Sequence, residues 1–306
     1  MKVGLIDVDG HNFPNIPLMK LSAWHKSRGD RVEWYSPLLS GHCDKVYMSK
    51  VFSFTPDYNW IIDADEIKKG GSGYCISLEG GREVYDKSKD GQLPSEIEHI
   101  YPDYGLYNIT DTAYGFITRG CPRACGFCHV AAKEGRRSYK AGELQDFWKG
   151  QSRIVLCDPN ILAYNDHGAI LEELADTKAT IEINQGLDIR LITDRDIDQF
   201  KRIKLDKVHF AYDRIQDRAE IEPRIEAFIR ETGYNRSRGR ALCYILVNYD
   251  TTLEQDIERI EFCRRLDVQP YPMIYDKEHA ASIYKRLQRY CNNNIFWGLS
   301  SFDEYL

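Results

Sequence analysis

Apolar positions along this chain fall into two strand-and-helix series separated by a polar stretch. Val3 to Val8 is an apolar run of strand length. After Pro14 and Pro17, residues Leu18, Leu21, Trp24 and His25 recur at helical spacing and predict a helix from Leu18 to Ser27, stopped at Gly29. Arg31 to Tyr35, Val46 to Phe52 and Trp60 to Ile67 read as three further strands, the last ending near Gly70 and Gly71. Strands joined by crossovers predict an open, doubly wound sheet, although few helices are evident after its later strands.

Residues 80 to 110 are polar and rich in Gly, Pro and Tyr, and predict a linker or a wrapping loop. A second series follows, with strands over 112–117, 152–156, 180–184, 207–210, 241–247 and 268–274. Helical patterns lie between them, as over Thr252 to Leu266. Six such units predict a partial (β/α)6 barrel, whose chemistry would gather at the C-terminal strand ends. The expected organisation is an α/β chain with a first domain and linker over 1–110, the barrel over 111–280 and a cap over 281–306, where Phe296, Trp297 and Leu299 would cover the open side of the barrel.

Composition changes this picture little. With 306 residues and 42% hydrophobic content the chain can build a substantial core. A net charge of −6 gives no sign of a nucleic-acid-coating protein. No apolar run approaches the roughly 18 residues of a membrane span. The N-terminal run is interrupted by Asp7 and Asp9, which reads as a first strand rather than a secretory signal and points to the cytoplasm.

The nine cysteines do change it. In a reducing compartment, clustered cysteines point to metal or redox chemistry rather than to disulfides. Cys121, Cys125 and Cys128 follow a predicted strand with spacing C-x3-C-x2-C, while Cys43, Cys75, Cys157, Cys243, Cys263 and Cys291 stand apart and read as small buried residues. Three local thiolates can occupy three corners of a cubane cluster that would otherwise take four cysteines, leaving one iron open. Three structural cysteines, or a zinc site, are the plainer alternatives. Zinc would ordinarily take a second C-x2-C pair or added histidines, and only His129 is adjacent.

This triad, with the aromatic Phe127 before its last cysteine, resembles the motif of the radical S-adenosylmethionine (SAM) superfamily. The resemblance implies a [4Fe-4S] cluster held by Cys121, Cys125 and Cys128, SAM on the open iron, reductive cleavage to methionine and a 5′-deoxyadenosyl radical, and hydrogen abstraction from a substrate. It also implies an external electron donor of the flavodoxin or ferredoxin kind. By position after the barrel strands, Asp158 would meet the SAM amino group, Asn184 or Gln185 the ribose, and Arg190 or Arg214 the carboxylate, with Asn160, Asp213 and Asn248 also at the barrel mouth. No catalytic residue is assigned, and a small molecule, a peptide and a nucleoside all stay open as substrates.

The segments Asp9-Gly10-His11, Ser49-Lys50-Val51 and Gly70-Gly71 resemble the cobalamin-binding, Rossmann-like domain found before many radical SAM barrels. In that reading His11 would ligate cobalt, Asp9 would orient it, and the reaction would be methyl transfer. Pro14 and Val51 depart from the pattern, so the domain is expected to keep the fold without tightly bound cobalamin. Lys133, Arg136, Arg137 and Lys140 follow the triad closely, either as an anion-holding patch or as a solvated helix face. A non-catalytic zinc-binding interaction module remains the alternative from a different class.

Overall fold

A computed structural model describes residues 1–79, 82–236 and 241–306. The linker reading therefore loses residues 80 and 81, and the barrel reading loses 237–240, which lie outside the described residues. The chain divides into two compact units: residues 1–137 with 141–151, and residues 138–140 with 152–306.

The first unit is built on four parallel strands, β1 (Lys2–Asp7), β2 (Arg31–Trp34), β3 (Cys43–Ser49) and β4 (Ala64–Gly70), in the order β2-β1-β3-β4. Helix α1 (Ile16–Ser27) joins β1 to β2. It begins two residues before its predicted start because the Asn15 side chain accepts from Leu18 N at 3.2 Å and caps it. Its buried Leu18 and Leu21 meet Val3, Leu5 and Ile97 in one core, while Ile6, Tyr35, Cys43, Val46 and Met48 form a second. The apolar Trp60 and Ile61 belong to the loop before β4, so that strand starts four residues later than its predicted start. Among the described residues no helix joins β3 to β4, and the four-residue α2 (Ser72–Cys75) comes next after β4, so α1 is the one full helix between the strands of this sheet. Gly71 sits at φ +99°, with Lys50 O where a Cβ would come within 2.2 Å, so the close turn after β4 requires a glycine there.

The polar stretch wraps this unit. Strand β5 (Ile76–Glu79), just before that stretch, pairs antiparallel with its β6 (Arg82–Tyr85), and helix α3 (Ser95–Glu98) delivers the buried Ile97. Asp103 accepts from Ser22 and Lys26, each at 2.6 Å, and the Trp34 indole donates to Leu106 O at 3.1 Å. Strand β7 (Thr112–Gly115), shorter than the predicted 112–117, strand β8 (Thr118–Arg119) and helix α4 (Val130–Glu134) also belong to this unit.

The second unit holds β9 (Tyr139–Lys140) and then a strictly alternating series: β10 (Arg153–Leu156), α5 (His167–Asp176), β11 (Thr180–Ile183), α6 (Asp194–Arg202), β12 (Leu205–Ala211), α7 (Arg218–Thr232), β13 (Ala241–Val247), α8 (Leu253–Arg265), β14 (Gln269–Ile274) and α9 (Ser282–Asn292). Strands β10 to β14 pair in parallel and in chain order. Their near-continuous apolar sequences suit a sheet covered on both faces. Reciprocal capping boxes start α6 at Thr193–Asp196 and α8 at Thr252–Gln255. The aromatic run near the end packs on helices: Phe296 is fully buried, lies under Arg264 of α8 and meets Tyr290 of α9. Among the described residues no helix is long and apolar enough to cross a membrane.

Candidate functional site

The three clustered cysteines lie in the first unit, on the loop between β8 and α4. Gly120 opens that loop at φ +81°, where a Cβ would come within 2.1 Å of Arg137 O, so only glycine fits. The Glu134 carboxylate, at the end of α4, accepts from Gly120 N and from Arg119 Nη1, both at 3.0 Å. Cys121 N donates to Gly135 O at 3.2 Å, and Cys128 N to Cys125 O at 3.0 Å. Ala124 turns the chain between the first two cysteines at φ +47°. The loop is thus tied at its base and folded back on itself within the motif.

The protein around its sulfur, together with the neighbouring Cys125 and Cys121, pushes the Cys128 thiol up to about 11 even though the residue reaches the surface. No three His, Cys, Asp or Glu side chains among the described residues converge on a single ion position. Three thiols on one loop are the donor type a cubane cluster takes. His129 points elsewhere: its Nδ1 lies 3.2 Å from Glu83 Oε2 and its ring stacks on Tyr85. Lys133 is half-buried and donates to Ser72 Oγ at 2.9 Å, whereas Arg136, Arg137 and Lys140 are exposed.

At the C-terminal ends of β1 and β3, Asp9 accepts from Phe52 N at 3.3 Å, Thr55 Oγ1 at 2.6 Å and Val51 N. It clamps the following loop. His11 instead stacks on Trp34 at 4.2 Å between ring centroids, edge-on to Tyr107. Burial raises Asp7 above its ordinary value, and Asp7 accepts from Tyr107 Oη at 2.7 Å. The Asn15 amide donates to Ser49 Oγ at 2.8 Å. Asn15 and Tyr107 carried no separate sequence signal, whereas Ser49 opens the Ser49-Lys50-Val51 motif.

In the second unit the remaining candidates line one edge, because β10 to β13 run in parallel and each candidate follows a strand end. Asp158 and Asn160 are buried after β10. Asn160 Nδ2 reaches Asp188 Oδ2 at 3.4 Å, and Asp188 accepts from Arg190 Nε at 2.7 Å. Arg190 also donates to Asp217 at 2.6 Å, so its guanidinium already grips two carboxylates. Asn184 is half-buried, while Gln185 and Arg214 are exposed. Burial raises Asp213, which accepts from Leu246 N at 3.1 Å. Asn248, at φ +64°, commits its side-chain amide to Tyr275 O at 3.0 Å. Beneath these loops lies a pair the sequence did not reveal, Asp256 with Arg259, both fully buried on α8. Arg259 donates to Tyr212 O at 2.6 Å and Leu246 O at 2.9 Å, and so ties β12 to β13.

No family model matches this chain. A CDK5RAP1-like protein from Oryza sativa subsp. japonica is 32% identical over 99 residues, 29% of this chain and 16% of that protein. Two solved structures align over 89% of this chain and 49% of their own. Both are of OxsB, described as a cobalamin-dependent S-adenosylmethionine radical enzyme. One, with aqua-cobalamin and S-adenosylmethionine bound, has a TM-score of 0.41 at 12% identity; the other, with aqua-cobalamin, has 0.40 at 11%. The chain thus spans about half the length of these structures and a smaller part of the rice protein.

Proposed function

We propose that this chain is a radical SAM enzyme. The observation that carries the reading is the loop that gathers Cys121, Cys125 and Cys128 within eight residues, opened by Gly120 and held by Glu134. When bound, a [4Fe-4S] cluster with one open iron supplies the electron that cleaves SAM reductively and yields a radical able to take hydrogen from a substrate. The chain's own contribution is to present three thiolates and to hold SAM. The architecture attached to this reading is a partial (β/α)6 barrel after a Rossmann-like domain. The electron comes from an external flavodoxin or ferredoxin-like donor.

For the SAM contacts, Asp158 is assigned to the amino group, Asn184 or Gln185 to the ribose, and Arg214 to the carboxylate. Arg214 is chosen over Arg190 because Arg190 is held by Asp188 and Asp217, which leaves it positioning those loops. Phe127, Asn160, Asp213 and Asn248 complete the proposed set, the last three by fixing loop ends. The test is anaerobic reconstitution with iron and sulfide, reduction, and addition of SAM. Formation of 5′-deoxyadenosine without added substrate is expected. A fully assembled cluster whose spectrum ignores SAM, with no 5′-deoxyadenosine, would refute the reading.

Cobalamin-dependent methyl transfer is the second reading, and the first unit's residues argue against placing it ahead. The expected orienting carboxylate, Asp9, is spent on the 51–55 loop, and His11 is stacked on Trp34. After incubation with hydroxocobalamin and desalting, the protein is expected to keep no corrinoid absorbance. Stoichiometric retention that His11→Ala abolishes would promote methyl transfer to the leading reading.

A further inference from the structure

We infer that Arg119 is a positioning residue for the cysteine loop: held between Glu98 and Glu134, it ties that loop to helices α1 and α3 and sets the three thiols for a cluster before any iron arrives. The inference rests on the cluster reading above. Four charged side chains alternate in sign from α1 to the loop. Lys20 of α1 donates to Glu98 Oε1 at 3.3 Å and to the Glu98 carbonyl. The same carboxylate oxygen lies 3.5 Å from Arg119 Nη2, and Arg119 Nη1 donates to Glu134 Oε1 at 3.0 Å. The other oxygen of Glu134 accepts from Gly120 N, at the residue before Cys121. The Arg119 guanidinium also lies over the Phe116 ring, 4.1 Å from its centroid. All of these residues belong to the first unit.

Glu134 touches the loop backbone, and Arg119 is what holds Glu134. The Glu134 side chain is 10% exposed, and so enclosed a carboxylate depends on a close countercharge. Lys133 stands farther off, at 3.9 Å, and is turned to Ser72. The guanidinium fork meets a different carboxylate with each Nη, a span that the single ammonium of a lysine does not reproduce. Glu98 sits on α3, outside the cysteine loop, and its printed partners are Lys20 and Arg119. Its hold on the loop therefore passes through Arg119. Partners of this outer kind orient metal ligands without touching the metal. The loop they hold is tied at both ends, Gly120 to Glu134 and Cys121 N to Gly135 O, so its thiols lose less freedom when they close on a cluster.

The experiment uses the full chain, both iron-free and after anaerobic reconstitution with iron and sulfide. Two rates are read: hydrogen exchange of the peptide spanning Gly120 and Cys121 in the iron-free chain, and loss of iron from the reconstituted chain to a ferrous chelator. The variants are Arg119→Gln, Arg119→Lys, Glu98→Gln and the double Glu98→Gln/Arg119→Gln. Arg119→Gln is expected to raise both rates, iron loss by about 10-fold or more, while peptides of β1 and β3 exchange as in the parent. Arg119→Lys should not rescue. Glu98→Gln, at a side chain 32% exposed, should raise both rates by less, and should add nothing once Arg119 is already glutamine. Unchanged loop exchange in Arg119→Gln, additive effects in the double variant, or a rise shared equally by β1 and β3 would each overturn the proposal. A parent that takes up no iron would defeat the cluster reading, and this role with it, before any variant is compared.

Discussion

Replacing any one of Cys121, Cys125 or Cys128 by alanine is expected to reduce the iron and sulfide retained after anaerobic reconstitution to background, with the far-ultraviolet circular dichroism unchanged. The reason is stoichiometric. A cubane with one iron reserved for SAM has three protein ligands and none in excess. The loop carrying them is held at its base by Glu134, Gly120 and Gly135, none of which is touched by the substitutions, so the fold has no reason to fail. The control is built into the chain. Cys43, Cys75, Cys157, Cys243, Cys263 and Cys291 are all buried, and none of them lies on the loop that carries the triad. Cys157→Ser should keep the full cluster, although this residue stands at a strand end beside Asp158. Full iron and sulfide in all three triad variants would remove the cluster assignment, as would loss of the cluster in Cys157→Ser for the dispensability of that residue.

The parts of the fold legible in the sequence were those where local pattern and tertiary role agree. Helix α8 was readable over nearly its full length because Thr252 and Gln255 form a capping box that needs no long-range partner. Strands β10 and β13 of the second unit were readable because their apolar runs, Ile154 to Leu156 and Ala241 to Val247, are continuous, as a buried parallel strand demands. Strand β4 was displaced in the reading because the apolar signal comes from Trp60 and Ile61, whereas an edge strand with both faces exposed needs no apolar pattern. The β5–β6 hairpin was hidden by brevity: its strands have four residues each, flanked by the glycines and polar residues that read as loop. The polar stretch gave no sign that Ile97 on its short helix α3 completes a core.

Within the candidate site, the cysteine spacing was legible because it is local, eight residues on one loop. The network Asn160–Asp188–Arg190–Asp217 joins three separate loops, so the sequence could nominate Asn160 and Arg190 but not show that Arg190 is already engaged. Asp256 and Arg259 were invisible for a sharper reason. An acid and a base three apart on a charged helix normally face solvent and contribute little; only the tertiary fold buries this pair completely.

That burial makes Arg259→Met the substitution with the largest expected effect on stability in the second unit. Arg259 is fully buried, and its guanidinium serves Asp256 together with the carbonyls of Tyr212 and Leu246. Methionine fills much of the volume but donates nothing. The Asp256 carboxylate would keep Asn248 N at 3.1 Å and Thr251 Oγ1 at 2.7 Å, yet lose its counter-charge, and two strand-end carbonyls would lose their donor. Removing one partner of a buried pair costs about 3–5 kcal/mol, a large share of the roughly 5–15 kcal/mol that holds a domain folded. Cys243 on β13 gives a local readout, because it is fully buried and reacts only when this unit opens. Its alkylation rate, mapped by mass spectrometry under native conditions, should rise about 100-fold or more in Arg259→Met. Converting both members, as in Asp256→Leu/Arg259→Met, should recover part of the loss, since it removes the stranded charge as well as the donor. A change of less than about threefold in the single variant, equivalent to well under 1 kcal/mol, would show that the pair does not hold β12 and β13 together.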